Sequence, residues 1–222
     1  MHTPTAAEAR ALQPVLAARV EEADRLDEVR LVAGVDVSTT RFDPERLVHA
    51  AVVLLAWPGL EVVETATAVQ RAALPYIPGL LGFREVPALQ EAFGRLRGRA
   101  DLVMVDGHGR AHPRGLGIAS HLGVVMDLPT IGVAKSVLVG KVEGDLPDEA
   151  GARAPLTWKG ARIGMALRSR ARANPLYLST GHRVSLDTAV LWVERTLRGR
   201  RLPEPTRLAH EAAGVSRRQA VG

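Results

Sequence analysis

The 222-residue sequence predicts an α/β domain on a mixed sheet, three antiparallel strands and then parallel ones, with helices on its faces. Three observations predict it. Apolar stretches at 31–38, 47–57 and 60–70 mark three strands in succession, the last two joined by Pro58-Gly59, which implies an antiparallel meander. Short apolar runs at 102–106 and 130–134 have the continuous character of strands buried on both faces. Helical periods fall between and after them, at about 84–97, 116–126, 186–197 and 211–218.

Ahead of the core, residues 6–30 read as a helical segment with Leu12, Leu16, Val20 and Leu26 on one face and Pro14 in its first turn or at a kink. Pro87 is expected in the first turn of its helix, where its missing N–H costs nothing. Residues 107–115 form a glycine-rich loop and 147–155 a surface connection. The chain reads as one domain: a helical segment over 1–30, a catalytic core over 31–210 and a tail over 211–222.

Composition narrows the function classes. The chain has no cysteine, which removes disulfides, zinc-thiolate centres, iron–sulfur clusters and thiol nucleophiles, so a metal must sit on oxygen or imidazole. The formal net charge is +5 and its cations are mostly Arg, with Lys only at 135, 141 and 159. That suits a polyanion, because guanidinium forks match phosphate, and it equally suits a basic protein with no such partner. No apolar run is long enough for a membrane helix, and Met1-His2-Thr3-Pro4 does not begin a secretory signal, which points to the cytoplasm. No membrane or obligate protein partner is legible.

Three acids stand out of pattern. Asp36 lies inside a strand, opposite Val35 and Val37, where an acid needs a cation or donors unless the strand is a solvent-facing edge. Glu85 opens a helix and shares the stripe of Leu89, Ala92, Phe93 and Leu96, so it points inward or serves the helix dipole. Asp106 ends the buried run 102–106, where open α/β sheets bind ligands, and it also fits a capping Asp. Together, three carboxylates suit a hard divalent cation such as Mg²⁺, with Mn²⁺ able to substitute, and metal-assisted phosphodiester hydrolysis. The element order and acids are typical of ribonuclease H-like nucleases.

Longer motifs sharpen this. Val32-Ala33-Gly34-Val35-Asp36-Val37-Ser38, Pro75-Tyr76-Ile77-Pro78-Gly79 running into Phe83-Arg84-Glu85, and Val105-Asp106-Gly107-His108-Gly109 running into His112-Pro113-Arg114 resemble the endonuclease V family. So do Ala119-Ser120-His121-Leu122-Gly123, Leu128-Pro129-Thr130-Ile131-Gly132-Val133-Ala134-Lys135-Ser136 and the stretch from Leu202 to His210. Gly82 stands where the family often has Ser, and Thr39-Thr40 where an aromatic often follows.

The resemblance implies a ribonuclease H-like repair nuclease for deaminated purine, chiefly hypoxanthine in deoxyinosine. It would cut the second phosphodiester 3′ to the lesion in single- or double-stranded DNA and leave a 3′-hydroxyl and a 5′-phosphate. It maps the metal ligands onto Asp36 and Asp106 and the family's catalytic Glu onto Glu85, which joins the metal set, and a strand-opening wedge onto Pro75, Tyr76, Ile77 and Pro78. Beside the acids, Lys135 is expected to meet the scissile phosphate or to pair with the same carboxylates, and His210 to relay a proton, neighbour the metal or sit on the surface of a helix. Gly79, Leu81, Gly107, Gly109 and Ile118 are candidates for the lesion pocket, and His112, Arg114 and Ser136 for phosphate contacts. His108 and His112 do not make a zinc helix, because Gly109 and Pro113 put them in a loop. Inosine in RNA, branched DNA, and lesion binding without cleavage remain as other readings.

Overall fold

The structure is a computed structural model that describes residues 4–40 and 43–220. Met1–Thr3, inspected above for a signal, and residues 221–222 of the proposed tail lie outside the described residues. In chain order the elements are α1 (Ala6–Ala17), β1 (Leu31–Thr39), β2 (Leu47–Ala56), β3 (Glu61–Arg71), α2 (Leu81–Gly94), β4 (Leu102–Asp106), α3 (Ile118–Met126) and β5 (Thr130–Ala134). Then come β6 (Lys141–Val142), β7 (Arg153–Trp158), β8 (Ala161–Leu167), β9 (Leu176–His182), α4 (Leu186–Arg195) and α5 (Glu204–Gln219). The strands form one sheet in the order β3-β2-β1-β4-β5-β9-β8-β7-β6. β1 pairs antiparallel with β2 and parallel with β4, and β4 parallel with β5, so the expected α/β mixed sheet is present.

Alternation along β1 sorts the faces. Ala33 and Val35 pack with α2 and α3 residues such as Leu89 and Leu122. Val32 faces the other way, with Met104 and the α4 residues Val190 and Val193. On this second side α5 lies across β1 and β2, its Ala209 packed on Val53 and Leu55. β2 is thus covered on both faces, which explains its nearly unbroken apolar run. Among the described residues, no helix is long and apolar enough to cross a membrane.

Several boundaries differ from expectation. The helix expected over 6–30 stops at Ala17, and the chain beyond is held by tertiary bonds instead: Arg183 N–H donates to Glu21 O, and the Asp24 carboxylate accepts from Ser185 N–H at 2.7 Å. The single face read there splits, since Leu16 and Val20 pack beside Phe83, Leu26 joins the α4 side and Leu12 is exposed. Pro14 falls in the interior of α1, and Pro87 in the interior of α2, because α2 begins three residues earlier than expected. Residues 211–219 continue α5, whose start precedes Pro205. Four strands, β6 to β9, lie where a loop over 147–155 and no further sheet were expected. They are short and broken by bulges, so their alternation is weak.

Candidate metal-centred active site

The parallel pairing of β1 and β4 brings the ends of both strands to one rim of the sheet. Asp36 and Asp106 sit there side by side, each one residue past the last ladder pair, Val35 and Val105, with Lys135 following β5. Gly34 makes the next step possible. A Cβ on it would lie 1.8 Å from the Pro205 carbonyl oxygen, so only glycine lets the start of α5 rest on β1. α5 then carries His210 over the rim, where its Nδ1 lies 2.7 Å from Asp36 Oδ2. One ligand atom each from Asp36, Asp106 and His210 falls within 4.8 Å of the others.

Glu85 arrives from the opposite face. It is the fifth residue of α2 rather than the first, past the turn where a helix dipole would hold an acid, and it is buried. Burial pushes its carboxyl up to about 8, helped by the Asp36 charge and opposed by Arg84. Asp36 is raised as well, by burial and then by Asp106, against the bonds from His210 and the Val37 amide and the charge of Lys135. Lys135 Nζ lies 2.5 Å from Asp106 Oδ2, an ion-pair distance without hydrogen-bond angles, so that buried oxygen has no hydrogen-bond donor.

These residues fit a hard divalent cation. A buried and a half-buried carboxylate repel each other, one presents an oxygen lacking a donor, and an exposed imidazole stands beside them, with a third acid next to Asp36. By contrast His108 and His112 belong to no such cluster among the described residues. His108 Nε2 donates to the Ser136 carbonyl at 2.9 Å and ties two loops together.

A cleft of about 550 Å³ opens beside the acids, lined by Glu85, Arg84, Leu81, Pro75, Tyr76 and Thr39, among others. Tyr76 is 69% exposed and Ile77 half-buried, while the carbonyl of Ile77 accepts from Leu80 N–H to close the turn. Past Pro78, Gly79 has a φ of 80° and lines a second cleft of about 240 Å³ with His112 and Arg114. Of the other pocket candidates, Gly107 packs on Ile118, whose Cγ2 a Cβ would meet at 2.5 Å, and Gly109 is buried against the Thr180 carbonyl. Arg114 and Ser136 are exposed. His112 is buried, and burial holds its ring down at about 4, so it is neutral near pH 7 and suits shaping the loop.

Gln13 escaped the sequence reading. It is 1% exposed in α1, where its amide donates to the Gly79 carbonyl at 2.6 Å and accepts from Arg114 Nη1 at 2.8 Å. The signal was a polar residue at helical spacing from Ala9 and Leu16. Gly34, on the strand face of Asp36, and Arg84, at the expected helix start, carried no functional signal of their own.

Comparison with known proteins gives the family and the fold. The model of the Endonuclease V family matches residues 15–211. Endonuclease V of Rhodospirillum centenum is 57% identical over 216 residues, 97% of this chain and 90% of that protein. The crystal structure of Endonuclease V from Streptomyces avermitilis superposes with a TM-score of 0.91 at 40% identity, covering 99% of this chain and 96% of that one. A Ciona intestinalis Endonuclease V (D234N), solved with a 23mer DNA containing an inosine followed by a ribo-adenosine, has a TM-score of 0.84 at 27% identity, covering 96% and 97%. With the sequence match spanning the acids, the helix over them and the loop beside them, the chain belongs to the Endonuclease V family of nucleases.

Proposed function

We propose that the protein is a repair endonuclease that finds deaminated purine, above all hypoxanthine in deoxyinosine, in single- or double-stranded DNA. It hydrolyses the second phosphodiester bond 3′ to the lesion and leaves a 3′-hydroxyl and a 5′-phosphate. The observation that carries this reading is the clustering of Asp36, Asp106 and His210, with Glu85 outside that cluster but near enough to feel the Asp36 charge, beside a cleft bordered by Glu85 and the exposed Tyr76. We propose the work for one domain, in the cytoplasm.

Asp36, Asp106 and Glu85 would hold Mg²⁺, with Mn²⁺ able to substitute. When bound, such an ion supplies charge neutralisation at the phosphate and Lewis-acid activation of water. Lys135, paired with Asp106 until substrate arrives, gives its ammonium to a scissile phosphate oxygen. His210, oriented by Asp36, holds or passes a proton at the same centre. Tyr76, between two prolines, projects as a wedge. Unstacking costs a few kcal/mol and least at a damaged base, which favours lesions. Hypoxanthine needs a donor to O6 and an acceptor from N1–H, which backbone groups around Gly79, Leu81, Gly107, Gly109 and Ile118 would supply. A close wall would exclude the 2-amino group of guanine. Arg114 and Ser136 hold flanking phosphate across the loop that His112 shapes.

One observation favours a second substrate, inosine in RNA: the Ciona relative was solved with an inosine followed by a ribo-adenosine. End-labelled duplex DNA with one deoxyinosine, incubated with Mg²⁺ or chelator beside undamaged DNA and inosine RNA, tests both. A Mg²⁺-dependent nick one nucleotide beyond the lesion, lost in Asp36→Ala, is the expected result. Binding without a nick would overturn cleavage, and cutting of RNA alone would move the function to RNA.

A further inference from the structure

A third cleft, of about 330 Å³, lies between the loop after β4 and the tip of the β7–β8 hairpin. Four of its lining residues are cations, Arg110, Arg114, Lys159 and Arg162, against one acid, Glu22. The pairs that quench some of this charge are exposed: Glu22 with Arg110 at 2.9 Å, and Arg162 with Asp187 at 3.3 Å, the latter outside the lining. Exposed pairs of this kind exchange readily for another anion.

The cleft also carries a half-buried aromatic. Trp158 pairs with Ala161 across a two-residue turn, Lys159-Gly160, in which both residues have positive φ, 52° and 79°. That is the tight hairpin turn whose twist matches its strands, so the indole is presented on a stiff element. The Lys159 ammonium sits 4.4 Å from the ring centroid, placing π-surface and charge together. Concave cations with a stacking ring are what an unpaired polynucleotide strand needs, phosphates on the cations and a base on the ring.

Position adds the last argument. His112 and Arg114 line this cleft and also the one that holds Gly79, which in turn adjoins the loop of Tyr76. The three clefts therefore form a run from the wedge loop to the hairpin tip. Resting on the nuclease reading above, we propose that the hairpin cleft binds a single-stranded flank of the substrate, outside the lesion site. Trp158 stacks on a base, and Lys159 and Arg162 neutralise its phosphates.

Two variants test this without touching the acids. Lys159→Gly with Arg162→Ala removes two charges and suits the turn, and Trp158→Ala removes the ring. Fluorescence anisotropy with a lesion-free single strand of about 20 nucleotides, long enough for a binding site of this type, reads the cleft without any cleavage. The charge variant is expected to bind about tenfold more weakly, with a log-affinity against log-salt slope shallower by about 1.4. Cleavage of a short inosine strand should stay within twofold of the parent, while the advantage of a long unpaired flank on one side is lost. DNA and RNA flanks are run in parallel, and loss on either identifies the strand the cleft takes. Equal effects on short and long substrates, or unchanged binding and slope in both variants, would overturn the proposal. A parent protein that cuts no inosine substrate would instead overturn the nuclease reading, since the anisotropy still reports on the cleft.

Discussion

Gly34→Ala is the smallest change that should separate the two halves of the candidate site. The added Cβ would stand 1.8 Å from the Pro205 carbonyl oxygen and 2.1 Å from its carbon, both backbone atoms that cannot rotate away. To restore an ordinary contact of 3.4 Å, the start of α5 must retreat by about 1.6 Å. His210 rides on that helix, 2.7 Å from Asp36, and a shift of this size passed along a rigid helix breaks the bond. Overpacking of this kind costs about 1–3 kcal/mol, and a misplacement of about 1 Å at a catalytic group costs about 100-fold in rate. Urea unfolding and single-turnover cleavage of a deoxyinosine duplex measure the two effects separately. In a His210→Ala background, Gly34→Ala should then cost little further activity, because the group it displaces is already gone. Wild-type rate and stability in Gly34→Ala would refute the packing argument, and full additivity with His210→Ala would refute the route through His210.

Tyr76→Ala should leave stability within about 0.5 kcal/mol, since the ring is exposed, yet slow the nicking of a duplex about tenfold more than that of a single strand. Equal slowing on both would remove the wedge role. Gln13→Ala should cost about 1–3 kcal/mol by urea titration, because it strips the Gly79 carbonyl and Arg114 of buried partners. An unchanged midpoint would show that water replaces the amide. His121, held to about 4 by burial against an ordinary 6.5, gives a pH dependence. The unfolded chain takes up the proton first, so this contribution is complete above pH 6.5 and falls by up to about 1.4 kcal/mol per unit as pH drops toward 4. His121→Leu should flatten that slope between pH 6 and 5, and identical slopes in the two proteins would contradict it.

The parts of this molecule legible in the sequence are those where one residue pattern had one physical meaning. β1, β2, β4 and β5 announce themselves because strands covered on both faces must be apolar along most of their length. Asp36 and Asp106 stood out against that background for the same reason. Glu85 was found, but its meaning shifted: with α2 starting at Leu81, the dipole alternative disappears and a buried acid remains. The 18–30 segment misled because Leu16, Val20 and Leu26 have helical spacing, while the bonds that decide its path come from Ser185 and Arg183, far along the chain. His210 had no periodicity to mark it. Its place depends on a glycine in a distant strand, which no local pattern can show.

The geometry also explains why the acids had to come from these elements. Side chains two apart on a strand share a face, so β1 alone delivers Asp36 only to the α5 side, whereas α2 packs on the other side and carries Glu85. Groups from opposite faces can meet only at a rim, and Asp36 and Asp106 lie level there because β1 and β4 run parallel. The antiparallel β2 presents its other end there and contributes no acid. The price is electrostatic: Asp36 and Glu85 are both driven up by burial, against which stand His210, the Val37 amide and Lys135 at Asp36 and Arg84 at Glu85. A strand-end rim that gathers buried carboxylates with only partial compensation in this way works against folding, which marks it, rather than the larger apolar interior, as the candidate for the chemistry of this chain.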